Sequence, residues 1–398
     1  MTQKLINFII KHNNFLLWAI SIIGILLRVI FIIVWQRRAI VDSFSYIAQA
    51  EAIINGSPVH GFPNGYPLLI ALIILIVGKN SLFAYLITIN FFAAVLTGFL
   101  FYKIALKIGK SIYINYFTEK EVNITSQNFS RFFALLTLFL FAIYPTQILF
   151  TNMILTESIT TFFIVFTVYL LLTKQFFTAG ISLAITTIIR TTFLPTLLFF
   201  LVFLFYFERN KVKDFVIGAA FILLSAGVLD AVGLTQFPSN QKYNLLVAVS
   251  GASFEINFDV SKYTSYERNN PLKTYLSFAF KNPVKFTFQR ISSFYELWGP
   301  YPFDSKNKLV KIIFGLRFWF FLSWIFTLFF VFKNDTQNDD KMLRMYLIIV
   351  SAFIVNLTFI HTLFFSNFRF VVPVEPLLIP VFLLIIVIYI KKRTKLIL

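Results

Sequence analysis

The chain has no cysteine, only three histidines, and charged residues make up just 13% of it. Without cysteine there can be no disulfide, no thiolate metal site and no cysteine nucleophile. Three scattered histidines form no Cys/His cluster, and no paired carboxylates stand out, so no metal and no cofactor is expected. The charged share is about half that of a soluble domain. With so few charges the chain cannot be a solvated disordered segment, a coiled coil or an ordinary soluble domain.

What is abundant is apolar surface. Hydrophobic residues make up 58% of the 398 positions, and Phe alone occurs 54 times. Such a chain has lipid as its main solvent, which predicts an all-α polytopic membrane protein. The net charge of +18 comes from 35 Lys and Arg against 17 Asp and Glu. In a soluble protein this excess would suggest nucleic acid. Here it fits helix ends held against anionic headgroups, so the expected partners include membrane lipids and exclude nucleic acid.

Apolar runs predict roughly ten spanning helices, over 15–34, 81–104, 131–148, 153–173, 178–192, 193–207, 214–233, 309–332, 345–364 and 370–390. The run 178–207 reads as one long span or as a tight pair, and Pro195 favours a break. Basic residues cluster in alternate connections: Lys103, Lys107 and Lys110; Lys174; Arg209, Lys211 and Lys213; Lys341 and Arg344; Lys391 to Lys395. Counting 178–207 as a pair puts all of these on one side, which is then cytoplasmic. This predicts a multi-pass protein with both termini cytoplasmic, and the abundance of Ile, Phe, Lys and Asn points to a bacterial cell membrane. No cleavable signal is expected, because the run Phe15 to Val34 is too long for a signal core. Three regions follow: a transmembrane module over 1–233 that includes an outer loop over 35–80, a second outer loop over 234–308, and C-terminal spans over 309–398.

The first outer loop is the best place for chemistry. Asp42 sits where it can cap a short helix over 43–54, whose Phe44, Ile47, Ala48 and Ile54 form one apolar stripe suited to a membrane surface. Asn55-Gly56-Ser57-Pro58 stops that helix. A turn-rich stretch from His60 to Pro67 leads to a second apolar segment, 68–77, too short to span. Asp42 has two readings, a plain cap or a carboxylate facing a cavity as a general base. His60 and Tyr66 are polar contacts of such a cavity or members of an aromatic belt.

Ionisable residues near the spans fall mostly in the outer half: Arg28, Glu157, Arg190, Asp230, His361, Arg369 and Glu375, with Arg317 nearer mid-depth. A transporter would more often place such groups at the midplane. The one-sided set predicts a cavity open to the outer leaflet and lined by Asp42, Glu157, Arg190, Arg369 and His361. The competing reading has long cations reaching the interface while carboxylates pair with them, although Glu157 and Glu375 have short side chains for that. In the second outer loop, Asn270-Pro271 and Asn282-Pro283 predict two helix starts. After the second, Val284, Phe288, Ile291, Tyr295 and Trp298 mark one apolar face, with Lys285, Gln289 and Arg290 off it. Such a helix either rests on the lipid interface or packs as a lid on the spans, and the lid is the favoured expectation.

Four stretches together resemble the GT-C superfamily of membrane glycosyltransferases, near the protein O-mannosyltransferases and the aminoarabinose transferases. They are Asp42-Ser43-Phe44-Ser45-Tyr46 with Ala48, Gly56 and Tyr66-Pro67-Leu68; Leu155-Thr156-Glu157; Gly180-Ile181-Ser182-Leu183-Ala184 leading to Arg190-Thr191; and Arg369-Phe370 with Pro373 and Pro376. The resemblance implies a GT-C-like fold with interfacial helices in both outer loops. It implies a polyprenyl-phosphate-linked sugar as donor, transfer to a hydroxyl acceptor on the outer face, and inversion at the anomeric carbon. It makes Asp42 the catalytic base and Arg190 and Arg369 the donor-phosphate cations, with Tyr46, His60, Tyr66, Glu157, His361 and Glu375 lining the cavity. Ser43 stands where family members often carry a second acid, and Phe62 precedes Pro63 where the aminoarabinose transferases have lysine. These departures turn the expectation toward a glycolipid or surface-glycan acceptor rather than protein. An outer-leaflet polysaccharide polymerase or ligase, or a lipid or sugar flippase without covalent chemistry, would share the same size and span pattern.

Overall fold

The computed structural model describes residues 11–35, 41–57, 62–117, 125–231, 241–250, 263–300, 308–333, 341–364 and 367–395, and these contain helices and no strand. The helices are α1 (Asn13–Val34), α2 (Val41–Ile54), α3 (Gly65–Val77), α4 (Leu82–Tyr116), α5 (Ser126–Ala142), α6 (Pro145–Thr151), α7 (Glu157–Leu172), α8 (Phe176–Ile189), α9 (Leu194–Phe207) and α10 (Val212–Ala231). They continue with α11 (Gln241–Ser250), α12 (Ser265–Asn269), α13 (Pro271–Lys281), α14 (Pro283–Trp298), α15 (Lys308–Lys333), α16 (Lys341–Leu363) and α17 (Leu378–Lys395).

Among the described residues, five helices are long and apolar enough to cross a membrane: α1, α4, α10, α15 and α16. A sixth span results if α5 and α6, bent by 54° at the break before Pro145, are taken together. The other expected spans exist as shorter apolar helices, α7, α8, α9 and the stretch Glu375–Ile390. Their shortness comes from breaks at defined positions. Asn152 to Thr156 forms bends, so α7 starts at Glu157 rather than at 153. Thr191–Phe193 tightens into a 3₁₀ turn that divides 178–207 into two helices. Phe368–Val371 and Glu375–Leu377 are 3₁₀ turns ahead of α17, where Pro373 and Pro376 withhold backbone donors. In contrast, α4 runs for 35 residues, past its expected end at 104. At 1.5 Å per residue that is about 52 Å, longer than the ~30 Å hydrocarbon core of a bilayer.

The outer surface is apolar. Phe15, Trp18, Ile22, Leu26 and Ile33 of α1 are exposed, as are Leu198, Val202 and Phe205 of α9. A main core joins α4, α5, α7 to α9 and α14 to α17, with Phe101, Phe133, Phe200, Phe353 and Trp298 fully buried. A smaller core unites α2, α3 and the start of α4 with Ile154, Leu155, Ile189 and Val372. This second core sets the first loop against the ends of the transmembrane helices.

Two features of the packing are chemically specific. Arg28 is buried within α1, and its Nη1 donates to Gly24 O at 3.0 Å and Ala142 O at 3.1 Å. It therefore caps the carbonyl end of α5 at the bend, where water cannot, instead of belonging to the ionisable cluster. α8 and α10 approach through glycine. A Cβ on Gly180 would lie 2.2 Å from Phe215 O, and one on Gly218 would lie 2.1 Å from Phe177 O. Small residues at a helix crossing let the backbones touch, which is how membrane helices gain dispersion energy. Gly180→Ala and Gly218→Ala should each destabilise the protein by about 1–3 kcal/mol through overpacking. Thermal melting of the purified protein in detergent measures this. Gly227→Ala, whose Cβ would meet no atom within 4 Å, should melt like the parent.

Candidate functional site

α2 is the first wall of the site. Asp42 lies inside its first turn, not ahead of it as a cap. The helix buries Asp42, Ser43, Tyr46, Ile47, Gln49 and Ala50, while Phe44 and Ala48 face outward. The predicted apolar stripe is therefore split, and the mixed polar and aromatic face is the buried one. The reason is hydrogen bonding: each buried polar group has a fixed partner. Ser43 Oγ donates to Ile154 O at 2.8 Å. Gln49 binds Phe62 at both ends of its amide, donating to the carbonyl and accepting from the N–H at 2.9 Å, and also donates to Asn64 Oδ1 at 2.8 Å. This ties the turn-rich stretch back onto α2. Tyr46 then packs against Phe62 and edge-on against Tyr66, with ring centroids 4.6 and 5.1 Å apart.

The second wall is the approach to α17. Asn367 accepts from the Arg369 N–H at 3.1 Å and so starts the 3₁₀ turn that presents Arg369. Arg369 Nη2 bonds Asp42 Oδ2 in an ion pair whose side chains are 9% and 10% exposed. The contact engages Oδ2, which leaves Oδ1 as the second acceptor of the carboxylate. On the guanidinium, Nε and Nη1 are buried without a hydrogen-bond partner among the described residues.

The third wall joins two helix ends of opposite polarity. Glu157 lies in the first turn of α7, and Arg190 ends α8, each at the terminus its charge favours. Arg190 Nη2 meets Glu157 Oε1 at 3.0 Å, with Glu157 1% exposed. Its Oε2 is buried without a partner among the described residues. Phe370 connects the two pairs, because the Arg190 and Arg369 guanidinium carbons each lie 5.7 Å from its ring centroid. The buried His361 stacks on that same ring at 4.3 Å. Tyr46 lies within electrostatic reach of Asp42, Glu157, Arg190 and Arg369. Burial, reinforced for Tyr46 by Glu157 and for Tyr66 by Tyr46, pushes both phenols above their ordinary range, so they remain neutral donors.

Asp42, Tyr46, Tyr66, Glu157, Arg190, His361 and Arg369 therefore gather in one place, although they come from six elements of the chain. Glu375 does not join them. It pairs with Arg317 at zero side-chain exposure and accepts from Thr146 Oγ1 at 2.8 Å, closing a separate network inside the main core. His60 lies outside the described residues. Among the described residues no three His, Asp or Glu side chains converge as a metal site would need. Gln49 is the positioning residue that periodicity did not reveal, since its partners are set by a loop rather than by helix spacing.

The four charges sum to zero, yet donor and acceptor capacity remains at Arg369, Glu157 and Tyr66. Such a site can hold an anionic group on guanidinium N–H groups beside a carboxylate able to take a proton. No family model matches the chain, and no curated protein or solved structure is detectably similar to it.

The buried Arg317–Glu375 pair generates a stability prediction. Glu375→Gln leaves a guanidinium uncompensated and should cost about 3–5 kcal/mol, whereas Arg317→Met with Glu375→Leu should recover most of that loss. Thermal melting in detergent compares the two. Equal loss in the single and double variants would show that the pair's own attraction, not desolvation, dominates.

Proposed function

We propose that the protein is a membrane glycosyltransferase that moves a sugar from a polyprenyl-phosphate donor to a hydroxyl on a glycolipid or surface glycan, at the outer face of the membrane. The observation that carries this reading is the contact of Asp42 with Arg369, beside the Glu157–Arg190 pair. It brings two carboxylates and two guanidinium groups together. The GT-C resemblance of the stretches around these same residues supports it as well.

The reaction needs little from the protein beyond placement and charge. Asp42 is the base. As the acceptor oxygen bonds to the anomeric carbon, its proton passes to the Asp42 carboxylate. The bond from that carbon to the phosphate oxygen breaks, and its electron pair leaves with the lipid phosphate. Attack opposite the phosphate inverts the centre. Arg369, through Nε and Nη1, which have no partner among the described residues, and Arg190 stabilise the charge developing on the leaving phosphate, in a site where little water screens them. Glu157 orients Arg190, and Tyr46 supplies a neutral phenol to the same space. Glu375 has no part in this scheme, since its partners are Arg317 and Thr146.

Asp42→Asn keeps the shape of the side chain and removes the base. It should lower transfer by about 10²–10⁴-fold while leaving membrane insertion unchanged. The assay is mass spectrometry of surface glycans and lipids from cells that carry the parent, the variant or neither. A hexose or pentose missing in both the deletion and the variant supports the reading. Full sugar content in the variant removes Asp42 as the base. An unchanged glycan profile on deletion, with altered lipid distribution between the leaflets, would favour a flippase.

A further inference from the structure

α13 and α14 carry an apolar face that stands exposed. Leu272, Leu276, Phe280, Val284, Phe288 and Ile291 are 57%, 45%, 83%, 68%, 66% and 57% exposed. The favoured expectation for α14, a lid packed on the spans, holds for one face only: Arg290, Leu297 and Trp298 are buried, whereas Val284, Phe288 and Ile291 point outward. Lys273, Lys281 and Lys285 stand exposed along the same face. From Pro271 to Tyr295 the sequence has four cations and no acidic residue. A row of aliphatic and aromatic side chains edged only by lysine is poorly matched to water and well matched to an anionic lipid interface.

The inner face of the same pair grips the segment that carries Arg369. Arg290, 8% exposed, donates to Leu363 O, to Phe364 O at 2.9 Å and to Ala248 O at 3.0 Å. Tyr275 Oη donates to Leu363 O at 2.7 Å. Leu363 and Phe364 are the carbonyl end of α16, and Arg369 follows within two turns' length of chain. A guanidinium on carbonyls that α16 itself leaves unbonded is a helix cap supplied by another element.

We propose that α13 and α14 form a lipid-docked clamp. Their lysine-edged apolar face binds the anionic membrane surface on the side of the Asp42 cluster, and through Arg290 and Tyr275 their opposite face fixes the α16 terminus from which Arg369 is presented. Arg290 is a positioning residue in this scheme and touches no reacting group. The clamp is read from contacts alone, so it stands whether or not the reaction proposed above is the right one.

The chain's lack of cysteine allows single labels without further substitution. Spin labels at Phe280→Cys, Phe288→Cys and, as an exposed polar control, Ser265→Cys are read in the full-length protein in nanodiscs. The discs contain either phosphatidylcholine alone or phosphatidylcholine with phosphatidylglycerol. In the anionic discs, the labels at 280 and 288 should be relaxed by oxygen and protected from an aqueous nickel chelate, opposite to 265. Replacing Lys273, Lys281 and Lys285 by Gln should shift them toward the aqueous relaxant. Labels at 280 and 288 as water-accessible as that at 265 would overturn the docking. Hydrogen exchange then reads the clamp. Arg290→Gln should speed exchange in the peptide spanning 361–371 by about tenfold or more, with Arg290→Lys restoring part of the protection. Unchanged exchange in a folded Arg290→Gln protein would overturn the clamp. Should that variant fail to fold, Tyr275→Phe tests the same terminus by removing one bond, and its unchanged exchange would count equally against it.

Discussion

The Asp42–Arg369 ion pair joins side chains 327 residues apart. It is the contact on which the arrangement of the first loop depends. In a medium where isolated charges are costly, each buried charge must end against an opposite one or against backbone dipoles. Asp42 meets that requirement through Arg369, and Glu157 through Arg190. Satisfying both requires α2, the start of α7, the end of α8 and the approach to α17 to converge. The smaller apolar core, with Val372 and Ile189 packed among α2 and α3, provides the bulk that holds them there. Charge pairing fixes which segments meet, and dispersion among Tyr46, Phe62 and Tyr66 fixes how closely.

A second regularity concerns broken helices. Each break exposes carbonyls that lipid cannot bond. Three arginines sit at such ends. Arg28 takes Ala142 O at the end of α5, Arg290 takes Leu363 O and Phe364 O at the end of α16, and Arg190 itself ends α8. One long cation provides several donors and favours the negative pole of the helix. This accounts for much of the positive charge within the apolar part of the chain without invoking a ligand for every arginine. It also separates Arg28 and Arg290, which bond carbonyls, from Arg369, whose side chain bonds the Asp42 carboxylate.

Much of the architecture was legible because hydropathy and proline report directly on helices in lipid. Long apolar runs predicted the positions of α1, α4, α10, α15 and α16, and the two Asn-Pro pairs predicted the starts of α13 and α14. Lengths were less legible, since breaks such as Asn152–Thr156 and Thr191–Phe193 arise from tertiary bonds, among them Asn152 Nδ2 to Trp35 O at 2.6 Å and Asn356 Nδ2 to Thr192 O at 2.8 Å. Which charge pairs with which was not legible at all. Glu375 and Glu157 look alike in sequence, each in a first turn at the end of an apolar stretch. One turns to Arg317 in the main core and the other to Arg190 beside Asp42. The facing of α2 and α14 was only partly legible: the α2 stripe expected at a membrane surface is split, with Ile47 buried and Phe44 exposed, and α14 buries Arg290 while its apolar Val284, Phe288 and Ile291 stay exposed.

The neutrality of the Asp42 cluster also constrains how it can work. Two carboxylates already balance two guanidinium groups, so in the proposed transfer an arriving phosphate would bring excess negative charge. It must either share Arg369 with Asp42 or draw the guanidinium away from it. Sharing is geometrically open, because Asp42 uses only Nη2 while Nε and Nη1 carry no bond among the described residues. A shared arginine would hold the leaving group on one edge and the base on another. The two groups that must act on opposite sides of one anomeric carbon would then be fixed relative to each other by a single planar side chain. As negative charge grows on the phosphate it would draw more strongly on Arg369. Its hold on Asp42 would weaken just as that carboxylate accepts the proton, so departure of the phosphate and removal of the proton would proceed together. In the proposed transfer the resting ion pair would be both the structural tie of the loop and the means of coupling the base to the leaving group.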